Sequence, residues 1–383
     1  MLPTPLPAAA SVAKAVRGES GDDFRVLGFH PVSRANPFQR MLYSRSGPAG
    51  FAPVGIVGQD ELESLEVALH MGVGAVLHLH WTAGVLREAA DPTDARRRSS
   101  AFLERIGALK ERGVGIVWTV HNVLPHRCAH PDVEAELRKG LASLADAIHV
   151  MAEDTLEATA PHYELPVNRL VEVPHPSYVG AYPGHIDRNM ARMELGFDQS
   201  ELVAGVVGSI QPYKGTGEFE RALRVMASEE PRLRGIVAGI PGRDPASVAL
   251  LGELRRSPHI ELIARKVSDL ELSVVVSSLD VMVLPYRASL NSGAAMLALT
   301  FGVPIVAPLT GHFRQLVERG FGHGYDPAST EGLPTALCEL RPTIAGFDRV
   351  GAARFAEERA APAISEQFFS KLRAVLQKGR ATD

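Results

Sequence analysis

The chain has 383 residues, too many for one ordinary core and suited to two domains of roughly 150–190 residues each. Hydrophobic residues at 45% and charged residues at 22% exclude a disordered chain, and a formal net charge of −4 gives no global basic field for nucleic acid. Cys128 and Cys338 lie far apart with no CxxC pair, which excludes a disulfide framework or a cysteine zinc site and fits a reducing cytoplasm.

Residues 1–22 hold Pro and Ala but no compact apolar run after a basic head, so they read as a flexible N-terminal tail rather than a signal peptide. No stretch approaches the roughly 20 apolar residues that span a bilayer. Work on a lipid-linked substrate would therefore take place at a membrane surface. The first strand signal is 24–29 (FRVLGF), followed by a turn-rich loop and a helix from about Pro37. Strands follow at 75–79 (AVLHL), 115–120 (GIVWTV) and 147–151. Between them lie a helix with Phe102, Ile106 and Leu109 at helical spacing and another carrying Val133, Leu137, Leu141 and Leu144. Short apolar runs alternating with amphipathic stretches predict a parallel sheet covered on both faces.

The segment 171–183 (VEVPHPSYVGAYP) holds three prolines and reads as a linker between domains. A second series then begins, with strands at 202–207, 235–238, 260–263, 281–284 and 304–307. Helices fall near 218–227, 246–255, 269–278, 293–300 and 312–319, and a last one at about 365–377 has Phe368, Leu372 and Val375 on one side. The expected organisation is a tail at 1–22, a Rossmann-like domain at 23–180, a second at 181–360, and a terminal helix within 361–383.

Ligands of open parallel sheets bind at the carboxyl ends of strands. In the second series the loop Gly208-Ser209-Ile210-Gln211-Pro212-Tyr213-Lys214-Gly215 offers glycine backbone and a compact cation suited to a diphosphate. It reads equally as a solvated lysine in a Pro/Gly turn. The loop from Leu284 through Tyr286, Arg287, Asn291 and Ser292 to Gly293 runs into the apolar helix AAMLALT. Asn291 or Ser292 can cap that helix, whose positive end then forms an anion site, and Arg287 can reach the same phosphates with paired donors. The alternative is a plain cap beside an ion-paired arginine. Neither GxGxxG nor GxxxxGK[ST] occurs in these loops, which disfavours a standard NAD site or P-loop.

In the first series His121 and Asn122 end the strand GIVWTV, with His126 shortly after, and can bind a sugar hydroxyl or shuttle a proton. His78, His80 and Trp81 cluster at the end of AVLHL, where alternation sets both histidines on one side of the strand. Each histidine reads also as a satisfied polar residue. No acidic or thiolate partner stands at metal-ligand spacing. Asn36 is the expected cap of the helix from Pro37, and Arg34 in the preceding loop is expected to face the site. A helix carrying Arg96, Arg97, Arg98, Arg105, Lys110 and Arg112 reads as a solvated face, or as a contact for anionic lipid.

With these residues in place the chain resembles GT-B glycosyltransferases, above all the bacterial group that includes family 4, over about residues 24–378. VVGSIQPYKG resembles the family's strand and loop with a phosphate-binding lysine. VAGIPG resembles the next strand and turn, and VSSLDVMVLPYRASLNSGAAMLALTFGVPIVAP the donor-site block. VWTVHNVLPH resembles the strand that ends in the family's active-site histidine. The resemblance implies two Rossmann-like domains, a deep cleft between them and a terminal helix that crosses back to the first. It implies Lys214 on the donor diphosphate, backbone of Ser292 and Gly293 opposite, and His121 lining the sugar pocket. Two glutamates usual in the donor block are replaced by Ser289 and Leu297, the segment from Val281 to Leu316 holds no acidic residue, and the arginine usual after the loop's first glycine is Ser209.

The resemblance implies transfer of a sugar from a nucleoside diphosphate sugar, as co-substrate, to a hydroxyl of a glycan or lipid-linked acceptor, without cofactor, bound metal or nucleic acid. His121 or His80 would serve as base in an inverting route, while in a retaining one the leaving phosphate takes the proton. The expected setting is cytoplasmic, with peripheral contact at the inner membrane face. The missing glutamates leave two rival readings, a GT-B-type epimerase and a non-catalytic glycosyltransferase-like subunit.

Overall fold

The structure, a computed structural model, describes residues 5–20, 24–34, 36–286 and 289–381. It divides into two compact units, Met1–Pro176 with Ala361–Asp383, and Ser177–Ala360. The first unit is built on β1 (Arg25–His30), β2 (Phe51–Gly55), β3 (Gly74–Leu79), β4 (Gly115–Thr119), β5 (Ala147–Val150) and β6 (Leu170–Glu172). These pair in the order β2-β1-β3-β4-β5-β6, with every adjacent pair parallel. β4 is buried on both sides through Ile116, Val117, Trp118 and Thr119, as a parallel sheet covered by helices requires. The terminal helix Ala361–Ala381 sets Ile364, Phe368, Leu372 and Leu376, one turn apart, into the core with Leu27, Val76, Val117 and Val171. Its Lys371 ammonium donates to the Glu172 carbonyl at 2.6 Å.

Two expectations need correcting here. Instead of a flexible tail, Pro5–Ser20 forms a helix whose Leu6, Ala10 and Ala13 are buried. Its prolines fall in the first turn, where a missing N–H costs nothing, and the apolar spacing does the rest. The supposed linker is also partly strand, since β6 pairs with β5 at Ile148↔Leu170 and His149↔Val171. The unit boundary falls at Pro176/Ser177, inside that segment.

The second unit carries β7 (Leu202–Val207), β8 (Leu233–Ala238), β9 (Ile260–Ile263), β10 (Val281–Val283), β11 (Ile305–Pro308) and β12 (Gly322–Tyr325). Their order is β12-β11-β10-β7-β8-β9, again parallel at each pair. Val206, Phe219, Leu223, Val237, Val283 and Val306 are among the residues of its core.

Arg192, fully buried, ties the start of this unit together. Its guanidinium donates to the Ser278 carbonyl at 3.1 Å, to the Glu201 carbonyl at 2.8 Å and to the Asp280 carboxylate. Asp280 also accepts from Arg188 at 2.6 Å and from the Val203 amide at 2.8 Å. Removing one partner of a buried pair strands the other, so Arg192→Met should lower the unfolding free energy by about 3 kcal/mol. Urea denaturation followed by circular dichroism reads the change, and a midpoint equal to wild type would refute this role for Arg192.

Candidate functional site

In the second sheet the strand order turns back where β10 lies beside β7. Ligand crevices of doubly wound sheets open at that point, and the 208–215 and 284–293 loops leave these two strands. Gly215, with φ of +70°, brings the loops together backbone to backbone, because a Cβ there would stand 1.8 Å from the Pro285 carbonyl oxygen. Gly239 at the end of β8, with φ of +151°, approaches the Gly208 carbonyl in the same manner, at 1.7 Å from a Cβ position. Three loops thus interlock through glycine.

Lys214 stands in this cluster, its Nζ 4.3 Å from the Tyr286 ring centroid and 5.8 Å from that of Tyr213. Burial works against its ammonium form, but the two tyrosines outweigh it and hold the pKa above the usual lysine value. Ser292 caps the helix Gly293–Thr300, its Oγ accepting from the Ala295 amide at 3.2 Å. Ser289 donates to the Asn291 carbonyl at 2.8 Å. Ser209 and Gln211 are half-buried in the first loop, and Gly208 is exposed. Thr216, in the first turn of the helix Thr216–Met226, buries a hydroxyl oxygen that has no hydrogen-bond partner among the described residues. A cavity of about 720 Å³ adjoins Tyr286 and is lined also by Glu218, Arg221, Tyr325 and Glu331. Arg287 lies outside the described residues.

In the first unit, five strands each deliver a histidine at or just beyond their C-terminal ends: His30 from β1, His80 from β3, His121 from β4, His149 from β5 and His175 from β6. His78 and His80 do share one side of β3, with ring centroids 4.2 Å apart, and both meet the Tyr43 hydroxyl, at 2.8 and 2.6 Å. The His80 ring contacts His121 at 3.1 Å, and the Trp81 ring stacks on His121 with centroids 4.3 Å apart. His78 reaches Thr119 at 2.7 Å, and Thr119 reaches His149 at 3.1 Å. Beside them a cavity of about 30 Å³, room for one water, is lined by His80, Trp81, Thr119, His121, Asn122 and Arg138. Arg138 is itself buried in an ion pair with Glu134.

Burial lowers the pKa of His78, His80 and His121 well below the usual 6.5, reinforced by neighbouring histidines. It brings His149 and His175 to about 4. The cluster is neutral at pH 7. Because the rings bond to one another, to Tyr43 and to Thr119, they do not converge on a common point, and no metal-holding group of three occurs among the described residues.

The remaining expected residues fall elsewhere. Arg34 is exposed on its loop. Asn36 accepts from the Phe38 amide at 3.0 Å but is not the cap, because the helix is Phe38–Leu42, one residue later than expected, and Pro37 holds the capping position. Gln39 braces the same loop, donating to the Pro31 carbonyl at 2.8 Å and accepting from the Ser33 amide at 2.9 Å. His126 is exposed. On the basic helix, Arg97 and Arg98 pair with Asp94, Arg105 with Glu63, Lys110 with Asp146 and Arg112 with Glu66, so its positive charge is largely met within the unit.

No protein-family profile matches the chain. It is 28% identical over 283 residues to the GDP-mannose:glycolipid 4-beta-D-mannosyltransferase of Xanthomonas campestris pv. campestris, covering 73% of this chain and 71% of that enzyme. It is 29% identical over 208 residues to the D-inositol 3-phosphate glycosyltransferase of Rhodococcus opacus, covering 51% of this chain and 46% of that one. Its fold matches the crystal structure of Anabaena HepE in complex with UDP-glucose, with a TM-score of 0.68 and 13% identity over 91% of this chain and 99% of that one. Sucrose-phosphate synthase from Thermosynechococcus elongatus matches with a TM-score of 0.62 and 13% identity over 94% and 98% of the two chains.

The fold is GT-B. Within this GT-B chain the 208–215 and 284–293 loops follow β7 and β10 as the sequence indicates, whereas Tyr43, Thr119, His149 and His175 were not anticipated. A histidine inside the otherwise apolar strand AIHV was a usable signal for His149. Tyr43 gave none, because its hydroxyl reaches the cluster only through tertiary packing.

The neutral histidines make stability depend on pH. Their folded pKa lies below the unfolded 6.5, so the unfolded chain binds more protons and stability is lost as pH falls from about 6.5 toward about 4. At pH 5 the loss should be on the order of 2 kcal/mol for each of His149 and His175. Urea midpoints measured from pH 7.5 to 4.5 test this, and a flat profile would show that the cluster is not neutral when folded.

Proposed function

We propose that this protein is a glycosyltransferase that moves a sugar from a nucleoside diphosphate sugar to a hydroxyl of a glycan or glycolipid acceptor. The observation that carries the reading is Lys214, a cation held beside Tyr286 where the loops after β7 and β10 interlock, the second of these loops running on into the helix Gly293–Thr300. The printed activities of the relatives support it. The Xanthomonas enzyme is named for a GDP-mannose donor and a glycolipid acceptor, and HepE was solved with UDP-glucose. Transferase names among the relatives also favour group transfer over epimerisation or a purely structural role.

The barrier to sugar transfer is dominated by charge developing on the departing diphosphate. In this reading Lys214 and the leading amides of the helix Gly293–Thr300 meet that charge in fixed positions, and no metal ion or cofactor is required. His121, in the first unit, is the candidate base. Burial keeps it uncharged at pH 7, so its ring has a lone pair with which to take the proton of an acceptor hydroxyl. Among the described residues no helix is long and apolar enough to cross a membrane. We place the protein in the cytoplasm, meeting the inner membrane face through a lipid-linked acceptor rather than through the ion-paired basic helix.

Lys214→Ala should weaken UDP and GDP binding at least roughly tenfold, since one charge-assisted contact to phosphate is worth that much. Isothermal titration measures this, and unchanged affinity for both nucleotides would remove the diphosphate site. His121→Ala should leave nucleotide affinity intact while transfer from UDP-glucose or GDP-mannose falls about 100-fold or more. Equal turnover would exclude His121 as the base.

A further inference from the structure

The hydrogen bonds of the first unit's buried cluster run in a series whose direction is fixed at one end. The Val173 carbonyl can only accept, so His149 must donate to it from Nε2, at 2.9 Å. Being neutral, His149 then presents an unprotonated Nδ1, which accepts the Thr119 hydroxyl proton at 3.1 Å. Thr119 has no second proton, so toward His78 it accepts, and His78 donates from Nε2 at 2.7 Å. The unprotonated His78 Nδ1 accepts from the Tyr43 hydroxyl at 2.8 Å. Tyr43 in turn accepts from His80 Nε2 at 2.6 Å, which leaves His80 Nδ1 unprotonated to accept from His121 Nε2 at 3.1 Å. Reversing the series would set the His149 Nε2 lone pair against the Val173 oxygen, and a doubly protonated ring would place an uncompensated charge in the core.

We propose that this directional series, anchored on the Val173 carbonyl, holds His121 in the tautomer protonated on Nε2, with Nδ1 as its basic nitrogen, and that Tyr43 and Thr119 are its positioning residues. Burial supports the neutral count, lowering the histidine pKa values and raising that of Tyr43. The Trp81 ring stacked on His121 and the Phe38 ring edge-on to it, with centroids 5.1 Å apart, keep the imidazole in plane for the bond to His80. When His121 takes a proton on Nδ1, its Nε2–H bond to the unprotonated His80 nitrogen becomes charge-assisted and stabilises the imidazolium. The orienting partner that other general bases find in a carboxylate is here another imidazole, itself held by Tyr43.

The use of Nδ1 in transfer rests on the proposed function, whereas the tautomer does not, so the experiment reads the ring itself. Full-length protein labelled with 15N-histidine is studied at pH 7 by long-range proton–nitrogen correlation, with His121→Gln assigning the ring. The expected spectrum shows His121 protonated on Nε2 and unprotonated on Nδ1. Thr119→Val removes both roles of the hydroxyl and should shift the His121 tautomer ratio at least roughly tenfold, while Thr119→Ser restores it. A His121 ring protonated on Nδ1 in the wild type overturns the proposal, as does an unchanged ratio in Thr119→Val. Should Thr119→Val fail to fold, the wild-type spectrum alone decides. A protein with the expected tautomer but no transfer would overturn the transferase reading and leave this one standing.

Discussion

A parallel sheet sends the C-terminal ends of all its strands to one edge, and the rest of this molecule follows from that constraint. In the second unit it brings the loops after β7, β8 and β10 into contact although Gly215 and Pro285 stand far apart in the chain, and glycine at 215 and 239 lets backbone meet backbone there. In the first unit the same edge collects histidines from five strands. Neither cluster is visible as a local motif. Each is produced by strands that are distant in sequence and adjacent in the sheet.

Much of the fold was legible because buried parallel strands read as short apolar runs. The strands that escaped are edge strands with atypical composition. β2 (FAPVG) carries Pro53, which an edge tolerates and a central strand does not, and β12 (GHGY) has two glycines and a histidine in place of an apolar run. The N-terminal helix escaped because its opening prolines resemble a loop, and only the burial of Leu6, Ala10 and Ala13 reveals what holds it. The loop position of Lys214 and the capping position of Ser292 could be read from strand–loop–helix grammar. Asn36 bonds the Phe38 amide from outside the helix, whose capping position is Pro37, and Arg34 is exposed. Tyr43 and Thr119 could not be read, since a hydroxyl's partner is decided by packing across strands rather than by neighbours in the chain.

In the segment from β10 through the helix Gly293–Thr300, the lack of acidic residues is a property of the packing. Leu297, at the place of one expected glutamate, is 7% exposed and belongs to the buried run Ala295–Leu299. A carboxylate there would be desolvated unless a cation met it. Ser289, at the other, spends its proton on the Asn291 carbonyl and so shapes the approach to the helix capped by Ser292. Ser289 serves the loop's own structure and Leu297 the buried face of the helix. Recognition of donor hydroxyls in the proposed reaction must then come from neutral groups and backbone, with charge reserved for the diphosphate.

The histidine cluster presents the opposite balance. Burying several imidazoles is unfavourable on the acid side, where the unfolded chain gains protons that the folded core refuses. An apolar core of similar volume would avoid that penalty. What the imidazoles add is direction, because a series of single-proton donors ending on a carbonyl has one low-energy arrangement, and an apolar core has none to impose. Of the histidines in the series, His121 and His80 line the small cavity, while His78 and His149 lie fully inside. The inner rings therefore act through the outer ones, and the stability given up at low pH is the physical counterpart of a fixed proton at the cavity wall.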